Sequence, residues 1–182
     1  RRPRRAGRPE VTTPMSDGSA PALAPGNSYL FTDRGVPRAY EALKRLLAEG
    51  RRGLVITRTH PVRVQQQYGF DCPVMWIAKN IKTTASAGVI NLEPTRLMKI
   101  HGTISDFIKV NPGAVVLLDG LEYLVTENGF SSVMKAIQLT NEEVAMSGAL
   151  LLVPIDPRTM ETQQLGYLER EFSLPEDEVR RY

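Results

Sequence analysis

The amino-acid sequence predicts an α/β fold, a three-layer sandwich in which a mainly parallel sheet of about five strands is flanked by helices. Two segments, AVVLLDG at residues 114–120 and ALLLVPI at residues 149–155, are unbroken apolar runs. Such runs are typical of parallel strands that are buried on both faces. Segments with helical spacing of apolar residues alternate with the strand-like segments, which is the pattern of crossover helices on a parallel sheet.

The first half of the folded region contains three strand-like and two helix-like segments. SYLFTD is short and aromatic, while GLVIT and PVMWIA are mostly apolar, so we expect each to be a strand. VPRAYEALKRLLAEG places Ala39 and its three leucines at helical spacing and ends at a glycine, which predicts a helix. Pro61 suits the first turn of the next helix, predicted over residues 61–69.

The second half alternates in the same way. Residues 80–94 are expected to form a loop with a short extended piece at GVINL. EPTRLMKIHGTISDFIKVNPG is predicted to be helical up to its Asn-Pro-Gly stop signal. AVVLLDG and ALLLVPI are the remaining strands, and helices are expected over about residues 129–147 and 158–172.

Composition divides the chain into three parts. Residues 1–26 are rich in Arg, Pro and Ala without apolar periodicity, so we expect a disordered linker. Residues 27–173 are expected to form a single α/β domain and residues 174–182 a charged C-terminal tail. The net charge of +3 belongs to the linker, because residues 1–10 hold five arginines and one glutamate and leave 18 basic and 19 acidic residues elsewhere. A nucleic-acid-binding domain usually carries its basic residues on the folded surface.

Cysteine content and hydropathy favour the cytoplasm. The one cysteine, Cys72, excludes an internal disulfide and a cysteine-clustered zinc site. No apolar run approaches the roughly 18 residues of a membrane span, and the N-terminus lacks the apolar core of a signal peptide. The first residue is not methionine, so we expect a fragment of a longer protein.

Polar residues follow three of the predicted strands, and the carboxyl ends of parallel strands meet at one edge, where such folds place ligands. These polar residues begin at Thr57, at Asp119 and at Asp156. The sequence therefore predicts a partner- or ligand-binding edge. Its members are Arg58, Thr59, His60, Asp119, Glu122, Tyr123, Asp156 and Arg158.

Asp119 has three interpretations. An acid after an apolar strand is the position that holds Mg²⁺ in P-loop nucleotidases, but neither G-x-x-x-x-G-K-[ST] nor G-x-G-x-x-G occurs in the chain. Asp119 is alternatively an acceptor in a turn or at a helix start. As a receiver-type phosphoacceptor it would need further acids, and Asp33 is the only candidate at the end of the first strand. Apart from the first alternative, no metal or cofactor is expected.

The remaining candidate groups do not form a catalytic set. His60 suits a general base, but the Thr59-His60-Pro61 run is also typical of a helix start capped by Thr59. No G-x-S-x-G is present, and Cys72 has no nucleophile context. His101 has a serine four residues on and so forms no metal-binding pair, and Trp76 is more typical of a core position than of a stacking platform. An enzyme is therefore less favoured than a binding module.

The arginines of the linker suggest a weaker alternative. They carry charge that suits non-specific binding of DNA, RNA or acidic lipid, although a solvated tether is the favoured explanation. The residues concerned are Arg1, Arg2, Arg4, Arg5 and Arg8.

The segments GLVITRTHP, VVLLDGLEYLVTENGF and LLLVPIDPRTM together resemble an archaeal domain-of-unknown-function family, number eight-three-five. The resemblance covers about residues 27–173, includes the LERE segment of the last helix, and is most specific at LLDGLEYL. It implies a RecA-type ATPase core without its phosphate loop, with no assigned activity. It also implies an upstream sensory or membrane module, to which the linker would be the tether. The positions it places at the shared edge are Arg58, Pro61, Asp119, Gly120, Glu122, Tyr123, Pro154 and Pro157.

The leading hypothesis is a non-enzymatic regulatory or protein-interaction domain that docks a partner, or a copy of itself, through the strand-end edge. Arg58 is expected to pair with Asp119 or Glu122, or to meet a carboxylate or phosphate of the partner. The alternative is a nucleotide- or phosphoryl-binding domain in which Asp119 holds Mg²⁺ and Arg58 and His60 contact the phosphates.

Overall fold

The computed structural model describes residues 23–32, 38–79 and 89–175, and within these ranges it contains one sheet of six parallel strands with helices on both faces. The strands are β1 Asn27–Thr32, β2 Gly53–Thr57, β3 Val74–Ile77, β4 Ile90–Leu92, β5 Val115–Asp119 and β6 Leu150–Ile155. The helices are α1 Arg38–Ala48, α2 Pro61–Tyr68, α3 Leu97–Val110, α4 Leu121–Asn128, α5 Phe130–Ser147 and α6 Thr162–Glu171, with a 3₁₀ turn at Pro157–Thr159. The three-layer α/β sandwich predicted from the sequence is confirmed.

The strand order is β1-β6-β5-β2-β3-β4. The order places β5 between β6 and β2, so the carboxyl ends of three predicted site strands are neighbours. In the β2–β5 register Thr57 lies opposite Asp119. At the outer side of β1, Ser173 forms a parallel bridge with Tyr29, so the chain returns to the edge strand after α6.

Two apolar clusters hold the layers together, because alternate side chains of each strand point to opposite faces of the sheet. On β2, Leu54 and Ile56 belong to the cluster packed by α3, α4, α5 and α6, whereas Val55 faces α1 and α2. All five residues of β2 are buried, and Leu150 to Val153 of β6 are fully buried. The sheet is therefore covered on both sides, as the unbroken apolar runs predicted.

Helix α4 was not predicted. Gly120 follows the last residue of β5 and has a φ of 123°, which glycine adopts readily because it lacks a Cβ, and α4 begins at the next residue, Leu121. Leu121 and Leu124 point into the core, and Gly129 separates this two-turn helix from α5. The short extended piece expected at GVINL is the edge strand β4.

The ends of the described ranges extend beyond the predicted domain. Leu23 is buried and Gly26 donates its N–H to the Ala149 carbonyl at 2.8 Å. Leu174 packs on the core and Pro175 is buried. The linker arginines and Asp33 lie outside the described residues. Among the helices in the described ranges, none has the length and apolar character needed to cross a membrane.

Candidate functional site

Asp119 is the centre of a hydrogen-bonded cluster at the carboxyl end of β5. Its Oδ2 accepts a hydrogen bond of 2.7 Å from the Tyr40 hydroxyl and one of 3.2 Å from Thr57 Oγ1. Tyr40 comes from the first turn of α1, and Thr57 is the last residue of β2. Two consecutive elements, α1 and β2, therefore converge on a carboxylate oxygen of β5, whose Asp119 lies 79 positions after Tyr40 and 62 after Thr57.

Burial dominates the electrostatics of this cluster. It raises the pKa of the Asp119 carboxyl, while the hydrogen bonds from Tyr40 and Thr57 act in the opposite direction. The pKa of Tyr40 is also raised, first by burial and then by the neighbouring Asp119 charge. Tyr40 therefore remains a neutral donor, and one oxygen of Asp119 is engaged by two donors of its own chain.

Arg58 lies beside this cluster but takes part in a different contact. Its backbone N–H donates to the Asp119 carbonyl at 3.1 Å, whereas its guanidinium lies 3.7 Å from the centre of the Tyr123 ring. Within the described ranges no ion pair joins Arg58 to Asp119 or Glu122, so the predicted pairing is wrong. The side chain is exposed, and the stacking contact uses its face rather than its N–H edges.

Gly120 makes this approach possible. A Cβ added at Gly120 would lie 3.3 Å from Arg58 Cβ and 3.8 Å from Ile77 Cδ1. The glycine also has the positive φ that starts α4, the helix that carries Tyr123. The β5–α4 turn thus sets the position of the ring under Arg58.

The turn after β2 is built differently from the predicted cap. The Thr59 N–H donates to Thr57 Oγ1 at 3.0 Å, and the residue at the start of α2 is His60, without a side-chain capping bond. The assignment of Thr59 as the cap is therefore wrong, because Thr57 closes the turn from the strand side. Pro61 occupies the first helical turn, as predicted.

His60 and Trp76 form an edge-to-face aromatic pair. Their ring centres are 4.8 Å apart at an interplanar angle of 69°. Trp76 Nε1 donates to the Arg58 carbonyl at 2.8 Å, which fixes the turn between β2 and α2 from the side of β3. Trp76 is therefore only partly buried, and it stabilises the turn instead of lying in the core as the sequence predicted.

The turn that follows β6 is stabilised by hydrogen bonds between two of its own residues, Asp156 and Arg158. Arg158 Nε donates to Asp156 Oδ1 at 2.9 Å, and Asp156 Oδ1 also accepts from the Arg158 N–H at 3.0 Å. Glu122 reaches across from α4, and its Oε1 accepts from the Asp156 N–H at 2.8 Å. Burial raises the pKa of Glu122, and this backbone hydrogen bond lowers it in part.

All eight predicted edge residues lie at or next to the carboxyl ends of β2, β5 and β6, and direct contacts link the three ends. Tyr40 is the residue that sequence reasoning missed. Its signal was a tyrosine on the inward face of an amphipathic helix, because a buried hydroxyl needs a hydrogen-bond partner. No group of three or more metal-ligating side chains occurs in the part of the chain that the structure describes.

Cys72 does not supply a nucleophile. The side chain is buried, and burial raises the pKa of its thiol to about 12, with the nearby Asp71 charge as the smaller cause. The thiolate is the nucleophilic form of cysteine, so a high pKa makes the group inert near neutral pH.

Comparison with known proteins gives a family and a fold. The family model described as "Protein of unknown function (DUF835)" matches residues 36–172. No curated protein matches the sequence. A solved structure, from the structural study of Project ID PH0250 of Pyrococcus horikoshii OT3, matches with a TM-score of 0.56 and 12% identity, covering 84% of this chain and 82% of that one. At this identity the likeness concerns the fold alone.

Proposed function

We propose, from the premise that the chain belongs to the DUF835 family of proteins of unknown function, that it is a non-enzymatic protein-interaction domain of a prokaryotic, signalling-type protein. It would dock an acidic segment of a partner protein at the carboxyl edge of the sheet. The observation that carries the proposal is the exposed guanidinium of Arg58, stacked on Tyr123 without a carboxylate partner in the described ranges.

The stacked geometry suits recognition of a carboxylate. A guanidinium binds a carboxylate through two N–H groups in its plane, and a ring below its face leaves that plane open. The ring also restricts the rotamers of Arg58 before binding, which lowers the entropy lost on docking. The side chain of Arg158, in contrast, already donates three hydrogen bonds to the Asp156 carboxylate, two from Nε and one from Nη2.

The acids of the edge are engaged within the domain. Asp119 accepts from Tyr40 and Thr57, Glu122 accepts from the Asp156 N–H, and Asp156 accepts from Arg158. A partner's carboxylate that approaches Arg58 therefore meets carboxylates whose charge is partly compensated. This arrangement supports docking of an acidic group more than it supports chemistry on it.

A nucleotide-binding function is the second candidate, favoured by the position of Asp119 at the end of a parallel strand next to Arg58. It would require Asp119 to hold Mg²⁺ and Arg58 to contact a phosphate. The RecA-like character implied by the sequence resemblance belongs to this candidate and stays a prediction. The engagement of Asp119 Oδ2 by Tyr40 weighs against it.

Calorimetric titration separates the two candidates. The probes are a synthetic peptide rich in glutamate, ATP with Mg²⁺ and GTP with Mg²⁺. We expect binding of the peptide to weaken at least about tenfold in Arg58→Ala, since a charge-assisted hydrogen bond contributes about 1.5–3 kcal/mol and about 1.4 kcal/mol is a factor of ten in affinity. Arg158→Ala is the matched control and should bind as the wild type does.

Equal peptide affinity in Arg58→Ala and wild type, or no heat with any probe, would overturn docking at this edge. Heat with a nucleotide that depends on Mg²⁺ and disappears in Asp119→Asn would replace the proposal by the second candidate. Weak nucleic-acid binding through the linker arginines predicts retention on DNA that is lost when residues 1–8 are deleted.

A further inference from the structure

Helix α5 carries a stripe of exposed residues on the side that faces away from the sheet. The stripe consists of Ser131, Lys135, Leu139, Glu142 and Met146. Its inward residues, among them Val133 and Ile137, are buried in the core. On the outer side, Leu139 and Met146 are 41% and 76% exposed, seven residues apart and therefore on the same face of the helix. Exposed apolar residues on one stripe of a helix are typical of a contact surface.

Helices α3 and α6 contact α5 on either side of the stripe, so the stripe points outwards between them. On one side α5 packs against α3, where Lys109 Nζ lies 3.7 Å from Glu143 Oε2. On the other side Gln138 Nε2 donates to Glu171 Oε2 at 3.3 Å, at the end of α6. A partner on the stripe would contact the outer face of α5 without displacing either helix.

Two charges of the stripe have no partner along their own helix. Lys135 and Glu142 are both exposed, and no oppositely charged residue lies three or four positions from either of them. No described ion pair includes them. Glu143, by comparison, is held by Lys109.

We infer that this stripe, formed by Ser131, Lys135, Leu139, Glu142 and Met146, is the interface of a symmetric dimer of this chain, with the two α5 helices antiparallel. A two-fold axis that brings Lys135 opposite Glu142 of the second copy brings Glu142 opposite the second Lys135, so one alignment forms two ion pairs.

The same alignment fits the remaining side chains. It places the two Leu139 side chains next to each other at the axis, because their positions differ by a single residue step of about 1.5 Å. It also sets each Met146 opposite Ser131 of the other copy, where a small side chain leaves room for a long one. Charge, apolar contact and side-chain size therefore agree on one register.

The interface is small, so we expect a weak dimer. One helix pair buries less than the roughly 1,200–2,000 Å² of a stable complex, which predicts exchange between monomer and dimer. Helix α5 returns from the carboxyl edge towards the amino edge of the sheet, since it lies between β5 and β6. An antiparallel dimer would thus carry its two carboxyl edges at opposite ends.

The test is sedimentation equilibrium of the full chain over a wide concentration range, with charge reversals in the stripe. Lys135→Glu and Glu142→Lys each convert two attractive pairs into two repulsive ones, and we expect each to weaken dimerisation about tenfold. The double variant Lys135→Glu/Glu142→Lys should restore it, and an equimolar mixture of the two single variants should form a heterodimer.

Circular dichroism checks that each variant is folded, and Leu139→Ser provides a second, uncharged disruption. A wild type that stays monomeric at every concentration would overturn the inference. The inference would also be overturned if the single charge reversals left the dimerisation affinity unchanged, or if the double variant did not restore it. Arg58→Ala should leave dimerisation unchanged, so loss of the peptide binding proposed above and loss of the dimer are separate results.

Discussion

The arginines that follow β2 and β6 contact different kinds of side chain, an aromatic ring for Arg58 and a carboxylate for Arg158. Arg158 donates to Asp156, two residues earlier in its own turn, while Arg58 rests on the Tyr123 ring. In sequence the two look alike, since each follows an apolar strand. Their acidic neighbours differ: Asp156 accepts from Arg158, whereas Asp119, whose carbonyl accepts the Arg58 N–H, accepts side-chain hydrogen bonds from Tyr40 and Thr57. An arginine at the end of a strand is thus available to a partner protein only where the neighbouring acidic side chains already accept hydrogen bonds from other residues of the domain.

The largest expected effect tests the turn that supports Arg58. Gly120→Ala should lower the free energy of unfolding by about 1–3 kcal/mol, because alanine is strained at a φ of 123° and its Cβ would lie 3.3 Å from Arg58 Cβ. Chemical denaturation measures the change.

Gly102→Ala is the matched control for that substitution. Gly102 lies inside α3 with nothing within 4 Å of an added Cβ, so alanine there should stabilise the protein by about 0.5–1 kcal/mol. A tolerated Gly120→Ala would mean that neither the positive φ nor the close approach to Arg58 requires glycine in this turn.

An effect of similar size tests the hydrogen bonds that engage Asp119 beside Arg58. Tyr40→Phe should destabilise the protein by about 1–3 kcal/mol, because it removes the shorter hydrogen bond to a partly buried carboxylate. Tyr68→Phe is the control. Its ring stacks on Tyr40 with centres 4.0 Å apart, but its hydroxyl bonds only to exposed Gln67 among the described contacts. Equal losses in thermal denaturation would contradict a special role for the Tyr40 hydroxyl.

A smaller effect measures the contact of Arg58 itself. A double-mutant cycle with Arg58→Ala and Tyr123→Leu should give a coupling of about 0.5–1 kcal/mol in unfolding experiments, the range of exposed cation–π pairs. Arg158→Ala should show no measurable coupling with Tyr123→Leu. Coupling near zero for Arg58 would mean that its guanidinium is not held on the ring in solution.

The smallest effect is a dependence on pH. Burial raises the pKa of Asp119 in the folded state above its ordinary value of 3.8, so the folded protein binds the proton more tightly than the unfolded chain. The stability of the wild type relative to Asp119→Asn should therefore be greatest below pH 3.8 and decline as the pH rises through the folded-state pKa. Denaturation at a series of pH values gives this difference, and a rise with pH would contradict it.

The parallel sheet was predictable because its central strands are buried on both faces and show it as unbroken apolar runs. Helix α4 was not, since LEYLVTEN is only two turns long, which is too short to show a clear helical spacing of apolar residues. The three residues of β4 gave only a weak signal, because an edge strand of that length has too few positions for a pattern.

The members of the edge were predictable from strand ends, but their pairing was not. Tyr40 and Asp119 are 79 positions apart in sequence, and they meet because α1 crosses towards β5, two strands from β1. Arg58 was expected to pair with Asp119 or Glu122, yet Asp119 accepts from Thr57 and Glu122 accepts from the Asp156 N–H. Which hydrogen-bonded pairs form at the edge depends on which donors the topology places next to each carboxylate.

The parallel bridge between Tyr29 and Ser173 determines how the domain would respond to mechanical force. A pull between residues 23 and 175 loads in shear the two backbone hydrogen bonds of that bridge, Leu30 N–H to the Ser173 carbonyl at 3.0 Å and Ser173 N–H to the Ser28 carbonyl at 2.8 Å. They would yield before β1, which is paired to β6 over six residues. Tension would therefore release the segment after α6 first and leave the six-stranded sheet intact.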